Sequence, residues 1–462
     1  MATPLRISPV RTELRGNGAV SDHARCWRHN EESGFLDPVW PSDPPDNSAV
    51  LEVARAYLPS NYDADIDKMS ISHGAFHRLY HIPERDSSRS YLMRLAIPVE
   101  PFYKTESEVA TMTYLREQTS IPIPAVVAWS SNAANSVLGF EWILMETVDG
   151  VTLESVWDRM EFEDKKTLTK AIASHMSQFL NLRFTLLGNI YFADKWNEVS
   201  YPLYSSSRSS QPALSPREPD VDIGKNGKFV IGRMVSTEFF RDKRALLCTD
   251  RGPYETAKEL AVTKVKLLGQ RIRHLSHMPG TDYYCEVDEE LYQRKTEVLQ
   301  VFDKLEQVPA QIFSDSDGPE DLKVLWHADL SMLNILVDPT TFEVRGIVDW
   351  ESVSIVPAWD VSDGIPRFLW GAEVEEPPPL GSLSEEDEAR KVDIRNDWDL
   401  CRLRKAYTEI VGPIPDTTSV AENTLRHKIK LSSLLAIFED LWTRTKYWLE
   451  DMDAEKEFVF VG

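Results

Sequence analysis

A chain of 462 residues has room for two or three domains, since domains usually run to ~100–200 residues each. Apolar residues make up 42% of the chain and charged residues 27%, a balance that excludes fibrous, collagenous and mainly disordered classes. Lys and Arg total 51 against 74 Asp and Glu. The resulting net charge of −23 argues against a nucleic-acid backbone as the main partner, and we predict none.

Cysteine spacing and hydropathy indicate the compartment. The four cysteines lie far apart without CxxC or Cys/His metal spacing, which favours a reducing compartment over a disulfide framework or a zinc site. No apolar run approaches the ~20 residues of a membrane span, so we predict no membrane span. Five arginines in the first thirty residues resemble a weak mitochondrial presequence, although such a stretch is more often a solvated tail. We predict a cytoplasmic protein, with the mitochondrion as the alternative.

The first folded region follows an irregular N-terminal arm, predicted at residues 1–50 from its Pro, Ser, Asn and charge content. Alternating apolar residues and turn signals then predict five short strands, together with one helix that Thr105 would cap. The strands are expected at 69–72, 78–82, 90–96, 121–129 and 139–145, and the helix at 104–117. They predict a small, mainly antiparallel sheet with one helix against it, at 51–149.

Long amphipathic stretches replace the strands after residue 150. They predict helices at 168–182, 255–275, 288–305 and 429–449. Two polar segments rich in Ser, Pro and acidic residues, at 205–228 and 373–393, are predicted to be mobile insertions. The second domain is therefore a larger helical region at 150–462.

The most informative segment, 324–351, predicts a β-hairpin. Ile335–Val337 and Val344–Val348 are apolar strands on either side of an Asp-Pro turn. Because residues equally distant from an antiparallel turn face each other, Asn334 before the first strand and Asp349 after the second lie at the same open end. One metal ion could bind to both, and carboxylate and amide oxygens are ligands that Mg²⁺ favours.

Asp329 lies in a loop five residues before Asn334. Its carboxylate is close enough to accept a proton from a nucleophile beside the metal. Each residue alone also has a structural interpretation, with Asp329 as a solvated loop acid and Asn334 as a hairpin cap. Together they form the pattern His-x-Asp-x-x-x-x-Asn, followed 15 residues later by Asp349, and we interpret this combination as catalytic.

Gly74 lies in the turn between the first two predicted strands. Its missing side chain would let backbone amides approach phosphate oxygens. A single glycine in a hairpin is more often a plain turn, so both interpretations stay open.

His327-Ala-Asp-Leu-Ser-Met-Leu-Asn334 resembles the catalytic loop of the aminoglycoside phosphotransferase and choline kinase group, and Gly346-Ile-Val-Asp-Trp-Glu351 resembles its metal-binding strand end. The resemblance implies an α+β, protein-kinase-like bilobal fold, with a small antiparallel β-rich N-lobe and a larger helical C-lobe. It implies ATP and Mg²⁺ in the cleft, Asp329 as catalytic base, and Asn334 and Asp349 as metal ligands. Protein kinases proper carry His-Arg-Asp, Asp-Phe-Gly and Ala-Pro-Glu instead.

The same resemblance implies nucleotide-binding residues in the first lobe. Arg94 stands where kinases have a phosphate-binding lysine, and Glu108 resembles the acid that pairs with it, with Glu106 as a rival. Glu146 and Val148 resemble the hinge whose backbone contacts adenine. Guanidinium keeps its charge and can bond phosphate bidentately, but the exchange of lysine for arginine is not conservative.

We therefore predict an ATP-dependent phosphotransferase that transfers the γ-phosphoryl group to a hydroxyl of a small molecule. The alternative is a nucleotide-binding pseudokinase or scaffold, motivated by Arg94 and by the acidic insertion. A protein-modifying kinase is a weaker third interpretation, because no recognisable activation segment follows Asp349. The sequence identifies neither the acceptor nor the oligomeric state, although an acidic cleft would suit a cationic acceptor.

Overall fold

A computed structural model describes residues 26–30, 36–196, 222–223, 227–241, 244–247, 249–274, 291–313, 322–351, 353–361, 364–374, 388–412 and 422–459. The first 25 residues, with most of the N-terminal arginines, lie outside the described residues. So do 205–221 of the first predicted insertion and 375–387 of the second.

The described part of the N-terminal arm is more ordered than predicted. Strand β1 (Trp27–His29) pairs with β2 (Leu36–Pro38), and helix α1 (Asn47–Arg55) begins before residue 51. The buried ring of Trp27 packs edge-on against Phe76, with their centroids 6.1 Å apart. The prediction of an irregular arm is wrong for these residues, because burial of apolar side chains offsets the entropic cost of ordering them.

The first lobe contains five antiparallel strands: β3 (Ser70–His73), β4 (His77–Pro83), β5 (Ser90–Ala96), β6 (Val126–Ser130) and β7 (Glu141–Glu146). Their order in the sheet is β3-β4-β5-β7-β6, and short 3-10 helices lie at Ile66–Lys68 and Ala133–Asn135. The strand predicted at 121–129 begins only at Val126. Pro122 and Pro124 precede it, and proline cannot donate a hydrogen bond to a neighbouring strand.

Helix α2 (Tyr103–Gln118) follows the third strand of this sheet, as predicted, but its N-terminus is capped differently. Thr105 lies inside the helix. Phe102, with φ 66°, precedes the helix, and its backbone N–H donates a 2.6 Å hydrogen bond to Glu141 Oε1 on β7. The cap is therefore a carboxylate from a strand distant in sequence, and the prediction of Thr105 as the cap is wrong.

Glu141 makes the stability of the chain depend on pH. Burial raises its pKa from 4.5 to about 7, despite hydrogen bonds from Thr105 and the Phe102 N–H. Between these values the folded state holds a proton that the unfolded state has lost. Stability relative to Glu141→Gln should therefore fall as pH rises from 4.5 to 7, by up to about 1.4 kcal/mol per pH unit. Denaturant unfolding of both proteins at several pH values measures this, and a constant difference would contradict it.

The second lobe is helical, as predicted. Its helices are α3 (Leu153–Trp157), α4 (Phe162–Leu180), α5 (Ala193–Trp196), α6 (Thr237–Phe240), α7 (Ala257–His274), α8 (Lys295–Leu305), α9 (Val308–Ile312), α10 (Glu388–Val411) and α11 (Glu422–Val459). Three 3-10 helices are Arg244–Leu246, Ala358–Val361 and Arg367–Leu369. None of the helices in the described ranges is both long and apolar enough to cross a membrane.

Short strands position the loops of the second lobe. They are β8 (Val151–Thr152), β9 (Asn189–Phe192), β10 (Asp222–Ile223), β11 (Phe229–Gly232), β12 (Lys323–Trp326), β13 (Ile335–Val337), β14 (Val344–Ile347) and β15 (Ser354–Pro357). They form three antiparallel sheets, in the orders β10-β11-β9, β12-β15 and β14-β13-β8. The β13–β14 pair is the predicted hairpin, and β8 joins it directly after the first lobe.

The N-terminal half of helix α2 is buried on all sides. Every residue from Lys104 to Met112 is buried, because the β10-β11-β9 sheet covers the side that the first-lobe sheet leaves open. The buried Asn189 on β9 joins the parts. Its Nδ2 donates to Ser107 Oγ on α2 and to the Val353 carbonyl, both at 2.9 Å. The helix is thereby held against the second lobe close to the hairpin end.

Candidate active site

A buried ion pair joins the third strand to helix α2. Arg94 on β5 donates from Nη1 to Glu108 Oε1, and the side chains are only 7% and 2% exposed. Arg94 Nη2 lies 3.0 Å from Oδ1 of Asp349. Asp349 directly follows the hairpin and has a left-handed backbone, with φ 62°. The two lobes thus meet at Arg94, which contacts an acid from each.

Three further side chains complete this cluster, and the sequence reasoning assigned them no role. Glu351 Oε2 contacts Lys104 Nζ and lies 3.0 Å from His77 Nε2. Lys104 Nζ also donates to His77 Nε2 at 2.6 Å, while Arg94 Nη2 lies 3.4 Å from Glu351 Oε2. Glu351 belongs to the Asp-Trp-Glu segment that the sequence analysis identified. The positions of His77 and Lys104 in the sequence do not indicate this contact, because only folding brings strand β4 and helix α2 to the end of the hairpin.

Burial and charge shift the ionisation of this cluster. Burial, with the neighbouring Glu351, raises the pKa of Asp349 to about 7. Burial and the adjacent Arg94 lower the pKa of His77 to about 3, so its imidazole is neutral. His77, Asp349 and Glu351 each offer a ligand atom, and these atoms lie within 4.8 Å of one another. Such a group of acidic and imidazole ligands can hold a divalent cation.

The loop before the hairpin brings Asp329 and Asn334 together. Asn334 Nδ2 donates to the Asp329 carbonyl at 2.7 Å and to Asp329 Oδ2 at 3.2 Å. The Val348 N–H donates to the Asn334 carbonyl at 3.0 Å, which holds Asn334 and Asp349 at the same end of the hairpin. The predicted juxtaposition of Asp329, Asn334 and Asp349 is present.

His327 lies beneath the loop and not at its surface. It is buried, its Nε2 lies 3.4 Å from the Val348 carbonyl, and its ring packs against Trp350 with centroids 5.1 Å apart. Burial lowers its pKa to about 4. A neutral, enclosed imidazole orders the loop and is not placed to exchange protons with a substrate.

Arg367 is a further residue to which the sequence analysis assigned no role. Its Nη1 donates to Asp329 Oδ1 at 2.5 Å, and both side chains are about half exposed. The Phe368 N–H donates to the Leu330 carbonyl at 3.0 Å, which joins the Arg367–Leu369 turn to the loop that carries Asp329. A separation of 38 residues gives the sequence no sign of this contact.

The two rival acids on helix α2 point in different directions. Glu108 contacts Arg94, whereas Glu106 Oε1 accepts from Trp129 Nε1 at 3.1 Å and from Ser131 Oγ at 2.7 Å, beside strand β6. The geometry therefore favours Glu108 as the partner of Arg94.

Gly74 lies in an open turn, whereas Glu146 and Val148 already make contacts within the chain. The Gly74 N–H donates to the His77 carbonyl at 2.9 Å, and a Cβ on Gly74 would meet nothing closer than 3.9 Å, so the turn is open above the sheet. The Glu146 N–H is already bonded to the Ala125 carbonyl at 2.9 Å. Val148 packs against Gly346, where a Cβ would lie 2.8 Å from Val148 Cγ1. Nucleotide contacts by Gly74, Glu146 and Val148 remain predictions.

Three relations therefore occur together: a five-stranded antiparallel sheet, a buried cation–acid pair between its third strand and the following helix, and a hairpin whose end brings Asn334 and Asp349 together beside Asp329. The chain has a protein-kinase-like fold. The predicted resemblance to the aminoglycoside phosphotransferase and choline kinase group is confirmed at the level of the fold.

Comparison with known proteins gives distant fungal relatives of this kinase-like chain. A subtelomeric hrmA-associated cluster protein of Aspergillus fumigatus is 25% identical over 354 residues, which are 67% of this chain and 62% of that protein. Altered inheritance of mitochondria protein 9, mitochondrial, is 25% identical in Lachancea thermotolerans and 26% in Debaryomyces hansenii. The matches cover 70% and 79% of this chain, and 52% and 60% of those proteins. The chain thus spans less than two thirds of these relatives. No family model matches it.

Solved structures similar to the kinase-like chain include small-molecule kinases. The GDP and kanamycin complex of APH(2")-IIia has a TM-score of 0.40 at 12% identity, covering 88% of this chain and 97% of that one. The streptomycin–ATP–APH(2")-IIa complex has a TM-score of 0.41 at 11% identity, covering 88% and 97%. Plasmodium vivax ethanolamine kinase has a TM-score of 0.37 at 11% identity, covering 84% and 86%.

Proposed function

We propose that the chain is an ATP-dependent phosphotransferase that transfers the γ-phosphoryl group to a hydroxyl of a small molecule. The observation that carries this proposal is the meeting of Arg94 and Glu108 from the first lobe with Asp349 from the second, beside Asp329 and Asn334. Kinases use the same relations to position phosphates and a nucleophile, with a lysine at the position of Arg94.

The residues present fit a magnesium ion. Asn334 uses its Nδ2 on Asp329, which leaves its amide oxygen as a metal ligand. The carboxylate of Asp349, 31% exposed, faces the same end of the hairpin. Asn334 and Asp349 would hold the ion, with Glu351 as a further oxygen donor close by. When bound there, ATP would supply the phosphoryl group and Mg²⁺ would neutralise part of its charge.

Side chains of the protein carry out charge stabilisation and proton transfer. Arg94, kept cationic and fixed by Glu108, provides the positive charge next to the phosphate groups. Asp329 takes the proton of the acceptor hydroxyl while the oxygen of that hydroxyl forms a bond to the γ-phosphorus. The bond from that phosphorus to the bridging oxygen breaks, and ADP leaves with its electron pair.

A second candidate function is a nucleotide-binding pseudokinase. It is favoured by one contact: Arg94 Nη2 lies 3.0 Å from Asp349 Oδ1, at a carboxylate that a metal ion would need. A lysine at this position would have one donor nitrogen instead of the guanidinium fork.

The compartment also remains a proposal. The relatives named as mitochondrial support the mitochondrion rather than the cytoplasm that we predicted. Imaging of a fluorescently tagged full chain distinguishes the two.

A ligand-binding experiment tests the metal–nucleotide site before any acceptor is known. ATP at ~100 times its dissociation constant should add about 2.7 kcal/mol of stability and raise the melting temperature by several degrees, only when Mg²⁺ is present. Asp349→Ala should lose this shift. The control is Asp303→Ala, an exposed acid on α8, which should retain it. No shift at millimolar ATP in the wild type would contradict both candidate functions.

A further inference from the structure

The side chain next to the proposed base is a cation. Arg367 Nη1 donates to Asp329 Oδ1, and the Arg367 side chain is 55% exposed. A half-exposed Arg–Asp pair adds little to stability, because solvent screens it. Its position beside the atom that receives the proton therefore points to a role in binding.

Hydrogen bonds from two directions fix the backbone around Arg367. The Phe368 N–H donates to the Leu330 carbonyl at 3.0 Å, next to Asp329. From helix α10, the Arg404 guanidinium donates to the carbonyls of Leu369 at 2.9 Å and Ala372 at 2.6 Å. The turn that carries Arg367 is thus fixed relative to the catalytic loop, as a substrate-binding residue requires.

An exposed aromatic ring continues the same turn. Trp370 is 62% exposed, and its Nε1 donates to the Ile365 carbonyl at 3.1 Å, which fixes the orientation of the indole. A large exposed ring held in one orientation offers a platform for the uncharged part of a ligand. Arg367 therefore presents a cation beside Asp329, and Trp370 presents an apolar surface on the same turn.

Resting on the proposed function, we infer that the acceptor is a hydroxylated molecule with an anionic group, a carboxylate or a phosphate ester, that Arg367 binds. Guanidinium matches the geometry of both anions and bonds them bidentately. When the anion binds Arg367, the contact from Arg367 to Asp329 is given up. Asp329 is then free to accept the hydroxyl proton while the hydroxyl oxygen takes the γ-phosphoryl group from ATP. A cationic acceptor would instead approach a like charge.

The test uses matched sets of acceptors that share a carbon skeleton and differ in charge. One set is 2,3-dihydroxypropanoate, glycerol and 3-amino-1,2-propanediol. An aromatic set is 4-(hydroxymethyl)benzoate with the corresponding alcohol and amine, and a third set compares phosphate esters with their free alcohols. ADP release and phosphorylated product are measured for wild type, Arg367→Gln and Arg367→Lys. Arg85→Gln, which removes an exposed arginine paired with Asp63 at 3.3 Å in the first lobe, is the control.

We expect anionic members to be phosphorylated in preference to neutral and cationic ones. Arg367→Gln should raise KM for the anionic member by about tenfold or more, because a hydrogen bond to a charged group is lost. Arg367→Lys should recover part of this, and Arg85→Gln should match the wild type. Equal or better turnover of neutral or amine members overturns the inference. Phosphorylation of no member by a protein that still shows the Mg²⁺-dependent ATP shift overturns the inference together with the phosphotransferase assignment, because a nucleotide-binding pseudokinase gives this result. Absence of that shift means instead that the proposed function itself has failed.

Discussion

Asp329→Asn should reduce turnover by about 10²–10⁴-fold, the contribution typical of a general base, while ATP binding stays nearly unchanged. The amide keeps the size of the carboxylate, but Asn334 Nδ2 and Arg367 Nη1 bond to different oxygens of Asp329, so its single oxygen can accept from only one of them. It cannot take the proton of the acceptor hydroxyl. The expected effect is therefore a loss of turnover number and not of affinity, measured as ADP release against the Mg²⁺-dependent ATP shift.

The matched control for Asp329 is Asp303→Asn, which removes an equivalent charge from an exposed site on α8. It should leave turnover at the wild-type level. Equal turnover of Asp329→Asn and wild type would rule out Asp329 as the base. A loss of the ATP shift in Asp329→Asn would show that the substitution disturbs the metal site through Asn334.

Arg94→Met should lower the free energy of unfolding by about 3–5 kcal/mol and abolish phosphoryl transfer. The first effect arises because Glu108, 2% exposed, would lose the guanidinium that neutralises it in a buried site. The second follows from the loss of the cation beside the phosphates. Chemical denaturation and ADP release measure the two effects separately.

Two further variants separate packing from catalysis. Arg94→Met combined with Glu108→Gln removes both charges, so stability should recover in large part while turnover stays lost. If turnover recovers with stability, Arg94 has only a structural role. Lys166→Met is the control, since Lys166 and its partner Glu163 on α4 are both exposed and its loss should change stability far less.

Arg94→Lys decides between the two candidate functions. In an active phosphotransferase the lysine variant keeps the charge and should retain part of the turnover. If the wild type has no activity and Arg94→Lys acquires it, the chain is a pseudokinase whose guanidinium occupies Asp349.

Local sequence was sufficient where a short segment determines its own geometry. The hairpin from Ile335 to Ile347 follows from two apolar runs and an Asp-Pro turn, and the hairpin alone brings Asn334 and Asp349 to one end. Asp329, five residues away, is placed by the same loop. The motif was therefore recognisable, and with it the kinase-like fold and its two lobes.

Contacts between distant segments were beyond that reasoning. Thr105 was predicted to cap helix α2, but Glu141 from strand β7 accepts the N-terminal hydrogen bond instead. Likewise the sequence predicted helix α2 against one sheet, whereas the β10-β11-β9 sheet covers its other side as well. The periodicity of apolar residues indicates which face of a helix is apolar, but it does not indicate which element packs on that face.

By itself, then, the sequence determined the hairpin from Ile335 to Ile347, the order of the strands and the helix in the first-lobe sheet, and the residue types available for phosphate and metal. Only the tertiary structure decided that Glu108 rather than Glu106 faces Arg94, that Lys104 and His77 join Glu351, and that Arg367 lies on Asp329. The physical reason is the distance along the chain. Ion pairs and hydrogen bonds act over a few ångströms in space, and segments separated by tens or hundreds of residues come within that range only after the two lobes have packed together.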